Sequence, residues 1–96
     1  MDDTAQQLTA AAHRLEQLAA RTTPGEWRVQ GLLASRPEVV AHRPDGGTEH
    51  VAEARARTAE WIATVTPALA VPLAAWLRAA DPTDPHAGAV ARVLLS

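Results

Sequence analysis

The chain has 96 residues, which is long enough for one small domain over residues 1–96. Its net charge is −2 and its pI is near 6.0. Proteins that bind phosphate backbones non-specifically usually have a pI above about 9, so this charge argues against that class. Hydrophobic residues make up 47%, too many for a disordered tail. There is no cysteine, which excludes disulfides and thiolate metal sites and predicts a cytoplasmic location.

Residues 3–21 predict an amphipathic helix. Leu8, Leu15 and Leu18 share one stripe with Ala11 at helical spacing. This stripe either packs inside the domain or pairs with the same helix of a second copy as a homodimer, since the spacing is that of a short heptad seam. The polar residues and proline of 22–25 end the helix.

Two strands and a turn follow. The alternation from residue 26 predicts a strand that extends through Leu32 and Leu33, and residues 35–37 predict a turn. A second strand over 39–41 closes at Arg43, before the turn signal of residues 44–47. Residues 48–52 form either a third strand or the start of a helix; we favour a short strand and a helix from about Glu53.

Three helical segments fill the rest of the chain. The first buries Ala54, Thr58, Trp61, Ile62 and Val65. The second begins at Thr66-Pro67, kinks or restarts at Pro72, and buries Leu69, Leu73, Trp76, Leu77 and Ala80. The third begins at Asp84-Pro85 and buries Val90, Val93 and Leu94.

These elements predict an α+β fold, with a small antiparallel sheet of two or three strands packed against about four helices in the order α-β-β-(β)-α-α-α. The longest apolar stretch, residues 65–77, contains Pro67 and Pro72. It is too short and too interrupted to span a bilayer.

The residue types and spacings give little indication of a catalytic or metal site. His42 and His50 flank the turn and share a face only if the loop is 44–46 with a bulge; a two-residue loop places them on opposite faces. Zinc needs three or four ligands, and no zinc spacing is present. The serines, Ser35 and Ser96, lie in no nucleophile elbow. We therefore expect a protein that is not an enzyme, with no metal and no cofactor.

Two binding hypotheses remain. The first is a protein partner or self-association through the first helix and an exposed tryptophan, with Leu8, Leu15, Leu18 and Trp27 as contacts. The second is nucleic acid held by an arginine patch of Arg28, Arg43, Arg55 and Arg57. Glutamates lie among these arginines, and such mixed charge is typical of a solvated surface.

Two segments carry a resemblance. Thr23-Pro24-Gly25-Glu26-Trp27-Arg28-Val29 resembles the "TPGPW-x-V" opening of small uncharacterised proteins of filamentous actinobacteria, their phages and integrative elements. Residues 59–67 resemble their "A-x-x-I-A-x-x-x-P" pattern, and residues 86–95 resemble their "H-A-L-A-V-A-R-x-L-L" ending. Glu26 and Gly88 depart from these patterns. The resemblance implies a mobile-element setting and no catalytic residue, since that group has no established activity.

The sequence thus predicts a small non-enzymatic cytoplasmic interaction or regulatory module. The alternative is a nucleic-acid-associated accessory protein that uses the arginine patch.

Overall fold

The structure is a computed structural model that describes residues 3–31 and 37–96. It has a three-stranded antiparallel sheet and helices, and this confirms the expected α+β class. The elements are α1 (Asp3–Arg21), β1 (Glu26–Gln30), β2 (Glu38–His42), β3 (Thr48–Glu53), α2 (Ala56–Thr64), a 3₁₀ turn (Pro67–Leu69), α3 (Ala70–Ala79) and α4 (Pro85–Leu95). Counting Ala56–Ala79 as one interrupted helix gives the order α-β-β-β-α-α, with three helices where about four were expected.

The chain divides into two compact units. The helical unit contains α1 together with Leu69–Ser96, and the sheet unit is Thr22–Ala68. The single domain expected over residues 1–96 stays a prediction. The expected strand extension at Leu32 and Leu33 and the turn at Ser35 and Arg36 lie outside the described residues.

In the helical unit, α1 contacts both α3 and α4. Their shared core is small and rich in alanine: Leu8, Ala11, Ala12, Ala74, Leu77, Ala87 and Ala91. Alanines let helix axes approach closely, but each alanine removes little apolar area from water. Leu15, Val90 and Leu94 pack partly buried against this cluster.

The sheet unit has the strand order β1-β2-β3, with α2 packed on β1 and β2. Its buried residues are Val39, Val40, Ala41 and Ala59. A register shift between Val39 and Val40 makes a bulge in the pairing of β2 with β3. Residues 48–52 belong to β3, which confirms the third strand that the sequence favoured.

The β2–β3 turn is a three-residue loop. The Arg43 amide donates to the Gly47 carbonyl over 2.9 Å, and the Gly46 amide donates to the Arg43 carbonyl over 3.0 Å. Gly46 lies at φ +86°, a conformation that glycine adopts without steric cost. Because His42 pairs with Thr48 and Val40 pairs with His50, both histidines lie on one face, as the three-residue alternative requires.

The expected start of α2 was wrong, and its expected buried face was right only for Ala54 and Ile62, which are half-buried. The backbone stays extended through Glu53, which pairs with Glu38, so α2 begins at Ala56 with Arg55 as its N-cap. Ala59 is buried, and Ile62 and Ala63 are half-buried. Three of the residues expected to be buried are instead exposed: Thr58, Trp61 and Val65.

The buried faces of α3 and α4 were predicted in part: Leu77 is buried and Leu73, Ala80, Val90 and Leu94 are half-buried, as expected, whereas the other residues expected there are exposed. In α3 the buried residues are Ala70, Ala74 and Leu77, whereas Leu69 and Trp76 are exposed. In α4 they are Ala87, Gly88 and Ala91, whereas Val93 is 75% exposed. Small residues line each inner face because the helices pack closely, and several large side chains therefore lie outside.

The two helix starts after residue 65 lie close to the predicted ones, with the restart at Ala70 and not at Pro72. Thr66 Oγ1 accepts from the Ala68 amide over 3.3 Å, and the helix restarts at Ala70. Pro72 therefore lies in the first turn of α3, where its missing N–H leaves no helical hydrogen bond unmade. Asp84 caps α4, accepting from the His86 amide over 2.8 Å, with Pro85 at the first helical position.

Candidate functional site

The outer face of α3 is an exposed apolar surface of the helical unit. It consists of Val71, Pro72, Ala75, Trp76 and Ala79, all of them exposed. Val71 is 73% exposed and Trp76 is 41% exposed. The spacings 71, 75, 79 and 72, 76 place these residues on one side of the helix, opposite Ala70, Ala74 and Leu77. A helix that is apolar all round is normally buried, so this face is unusual on a surface.

An ion pair borders the face. Arg78 is the single charged residue of α3, and its guanidinium donates two hydrogen bonds to the Glu16 carboxylate of α1, one of them over 2.9 Å. The hydrogen bonds from Arg78 lower the pKa of Glu16 below its ordinary value. The cation beside the outer face is therefore already paired within the chain, and the face itself presents no charge.

The three leucines of α1 that were expected to contact a partner differ in their exposure to solvent. Leu8 is 3% exposed and belongs to the core with α3 and α4, and Leu15 packs partly buried against that core. Leu18, which is 47% exposed, is the one leucine of the three that solvent reaches freely. The stripe is thus mainly an internal packing surface.

Trp27, the fourth expected partner contact, is half-buried. Its indole Nε1–H donates to the Thr23 carbonyl over 3.0 Å. Between them, Gly25 lies at φ +114°, and a Cβ there would meet the His42 carbonyl oxygen at 2.8 Å. The Thr-Pro-Gly-Glu-Trp segment therefore has a structural role, because it brings the start of β1 against the end of β2 and fixes the indole.

The arginines expected to form one patch lie at two ends of the sheet. Arg28 and Arg43 line a shallow hollow of about 560 Å³ together with Gly25, Glu26, His42 and Pro44. Since β3 runs from Thr48 beside His42 to Glu53 beside Glu38, Arg55 and Arg57 follow the opposite end of the sheet. The register of the strands thus divides the four arginines into two pairs.

The hollow has no excess of positive charge. Arg28 donates to both Glu26 carboxylate oxygens over 3.1 and 3.0 Å, which raises the pKa of Arg28 and lowers that of Glu26. Arg43 lies 3.7 Å from Asp45 and 3.9 Å from Glu49. An incoming phosphate would compete with these carboxylates. Arg55 and Arg57 are exposed and have no ion pair within residues 3–31 and 37–96.

The histidines on the shared face each have a neighbour. His50 Nδ1 lies 2.7 Å from a Glu38 carboxylate oxygen, and His42 Nε2 lies 3.3 Å from Gln30 Nε2. In the part of the chain that the structure describes, no three His, Cys, Asp or Glu side chains come together as metal ligands would. His13 and His86 lie in the helical unit, α1 and α4 respectively.

The stretch Ala56–Ala79 is long and apolar enough to cross a membrane by length and composition, and most of it is exposed. The helix is nevertheless interrupted after Thr64, and α2 packs on β1 and β2. The first half of this apolar stretch therefore belongs to the sheet unit.

No known protein family matches the chain, and no curated protein or solved structure is significantly similar to it.

Sequence reasoning missed the outer face of α3 because it assigned Trp76 to the core. A signal was present: from Pro67 to Leu77 the sequence has no polar side chain. A helix within that stretch has no polar side to turn to solvent. Such a helix therefore exposes an apolar face unless the rest of the protein covers it on every side.

Proposed function

We propose that this protein is a small non-enzymatic interaction or regulatory module of the cytoplasm that binds a protein through the outer face of α3. The observation that supports the proposal is the exposure of five adjoining apolar residues on a helix whose only charge is paired. Exposed apolar patches on small proteins commonly mark contact surfaces for partners.

The chemistry of the face defines the partner. Trp76 supplies a large, rigid ring of the kind that dominates binding energy in protein interfaces. With no unpaired charge, the face offers nothing to a phosphate backbone or an acidic peptide. It fits an apolar helix or groove, and the free energy of binding comes from removing Trp76 and Val71 from water.

An affinity pull-down from an actinobacterial lysate tests the proposal, with and without nuclease. The baits are the wild-type chain, Val71→Glu and the matched control Val93→Glu, which changes an equally exposed valine on α4. We expect a stoichiometric protein that survives nuclease, is lost with Val71→Glu and is retained with Val93→Glu. Recovery of no protein, or of material that disappears with nuclease, contradicts the proposal.

Nucleic-acid association is the second candidate, and it is supported by the exposed pair Arg55 and Arg57 at the start of α2. Binding through this pair would weaken steeply with salt, because counterions are released from the phosphates. The double change Arg55→Glu with Arg57→Glu would abolish it, whereas Arg28→Glu with Arg43→Glu would not. Fluorescence anisotropy with a labelled duplex at two salt concentrations measures the salt dependence and the effect of the substitutions. Equal affinity of all variants excludes Arg55 and Arg57 as the nucleic-acid site.

A further inference from the structure

Asp45 and Gly46, in the turn between β2 and β3, are the one Asp-Gly pair of the sequence. An aspartate side chain can react with the peptide nitrogen that follows it, and glycine shields this nitrogen least because it has no Cβ. Asp81 and Asp84 each precede a proline, whose nitrogen carries no hydrogen to lose. The two aspartates near the N-terminus precede bulkier residues. The sequence therefore concentrates this chemistry at residue 45.

The Asp45 side chain folds back over its own peptide. Its Oδ1 accepts from the Gly47 amide over 2.7 Å, a bond that aspartate commonly makes in turns. Arg43 Nε lies 3.7 Å from the same oxygen. The ring that the Gly47 bond closes includes the Gly46 nitrogen, so the carboxyl carbon is held toward that nitrogen.

The Asp45-Gly46 pair is open to solvent. The Asp45 side chain is 74% exposed. Gly46 lies at φ +86°, and among the described residues other than its chain neighbours no atom comes within 4 Å of a Cβ built on it. The Gly46 amide donates to the Arg43 carbonyl over 3.0 Å, and this bond must open before the nitrogen can react. Hydrogen bonds in exposed turns open locally without unfolding of the whole chain.

We infer that Asp45 is a site of spontaneous modification, where the folded chain isomerises to isoaspartate. The Gly46 nitrogen bonds to the side-chain carboxyl carbon of Asp45. The amide hydrogen, one carboxyl oxygen and a proton from solvent leave as water, which closes a five-membered succinimide ring. Water then adds at the main-chain carbonyl carbon and breaks its bond to the Gly46 nitrogen, so that a hydrogen returns to the nitrogen and a proton to solvent.

The product has the same atoms and the same charge as the starting chain, and the reaction needs only water. Its main chain now runs through the side-chain carbon of residue 45, so the loop is one carbon longer. The bond from the Arg43 amide to the Gly47 carbonyl, which closes the three-residue loop, no longer has its spacing. We therefore expect the amide signals of Arg43, Gly46 and Gly47 to shift in the product.

Incubation of the folded wild-type chain at neutral pH for several weeks tests the inference. Chromatography and mass spectrometry of its peptides should show a new species of unchanged mass for the peptide that contains Asp45. A protein isoaspartate methyltransferase should label this species and leave the peptides of Asp81 and Asp84 unlabelled. Asp45→Glu keeps the charge but cannot close a five-membered ring, so it should abolish the labelling. Gly46→Ala places a methyl group beside the nitrogen and should slow it.

Three results overturn the inference: a wild-type chain that gains no isoaspartate, labelling that Asp45→Glu retains, or modification of the wild-type chain in urea but not in its folded state. The last result would show that the bond from Gly46 to the Arg43 carbonyl protects the turn. Circular dichroism of both variants before incubation verifies that each comparison is made on folded protein.

Discussion

The outer face of α3 is apolar from Val71 to Ala79, whereas one face of the sheet is built from charged, amide and imidazole side chains. On the sheet, Arg28 bonds to Glu26, His50 to Glu38 and His42 to Gln30. These polar groups of the sheet are paired within its own strands, whereas the outer face of α3 leaves apolar side chains exposed. We therefore propose that partner binding belongs to the helical unit, and substitutions in each unit sharpen the comparison.

The largest effect should come from the alanine-rich core of the helical unit. Leu8→Ala removes one of its two buried leucines and should lower the free energy of unfolding by about 3 kcal/mol, because the cavity cannot collapse fully. Urea unfolding measures this. Leu18→Ala is the matched control on the same helix and should cost less than about 1 kcal/mol, since Leu18 is largely exposed. Equal losses would contradict the assignment of Leu8 to the core.

A backbone effect should come next, in the sheet unit. Gly25→Ala forces a side chain into φ +114° and brings its Cβ to 2.8 Å from the His42 carbonyl oxygen, so it should cost about 2 kcal/mol. Gly46→Ala is the control: its φ is also positive, but the added Cβ meets open space, and it should cost about 1 kcal/mol. A larger loss at Gly46 than at Gly25 would show that the close approach to β2 is unimportant.

A smaller gain is expected in the helical unit at Gly88, inside α4. Glycine in a helix costs about 0.5–1 kcal/mol relative to alanine, and an added Cβ would meet only Arg92 Nη1 at 3.6 Å. Gly88→Ala should therefore raise the free energy of unfolding by about that amount, as a higher urea midpoint shows. A lower midpoint would mean that α4 packs against α1 too closely for a methyl group.

The smallest expected effect is the change of folding stability in acid that comes from the Glu16–Arg78 ion pair. Because the pKa of Glu16 is lowered in the folded chain by hydrogen bonds from Arg78, its contribution to stability is present above the ordinary glutamate pKa and is lost as the pH falls through the lowered value. The stability difference between wild type and Glu16→Gln should therefore be present at pH 7 and vanish in acid.

Glu26→Gln is the control for this change. The pKa of Glu26 is lowered too, by Arg28, but these residues lie two apart in sequence, so we expect their pairing to depend less on folding. Glu16 and Arg78 lie 62 residues apart and meet only on folding. A larger pH-dependent loss for Glu26→Gln than for Glu16→Gln would contradict this reasoning.

Much of the fold could be predicted from local signals. Pro24-Gly25 stops α1, Asp84-Pro85 starts α4, and residues 44–47 turn the chain, because each of these residues acts on the backbone dihedrals or hydrogen bonds next to it. The start of α2 was placed too early because the pairing of Glu53 with Glu38 is not a local property.

The buried faces could not be predicted from side-chain size. Trp61, Trp76 and Val93 were expected to be buried because large apolar residues usually are. In this chain, Ala74 and Ala91 line the contacts between helices, Ala59 is buried on α2, which packs on the sheet, and neighbouring large residues lie on the outer sides. The alanine content allowed such close packing, but only the packed structure decides which side of each helix turns inward.

The outer face of α3 was missed because side-chain size assigned Trp76 to the core. The arginines expected to form one patch lie at two ends of the sheet because of the register of its strands. Arg43 and Arg55 are 12 positions apart in sequence and come at opposite ends of β3. The shared face of His42 and His50 depended on the loop length, which the sequence left open between two and three residues.

The three tryptophan indole N–H signals in a ¹H–¹⁵N spectrum test the central claim most directly. Trp76 lies on the outer face of α3, Trp61 is exposed on α2, and Trp27 is bonded to Thr23. On titration with the protein that the wild-type chain captures, we predict that the Trp76 signal shifts while the other two stay in place. A shift of Trp61 instead, or no shift at all, would contradict the account.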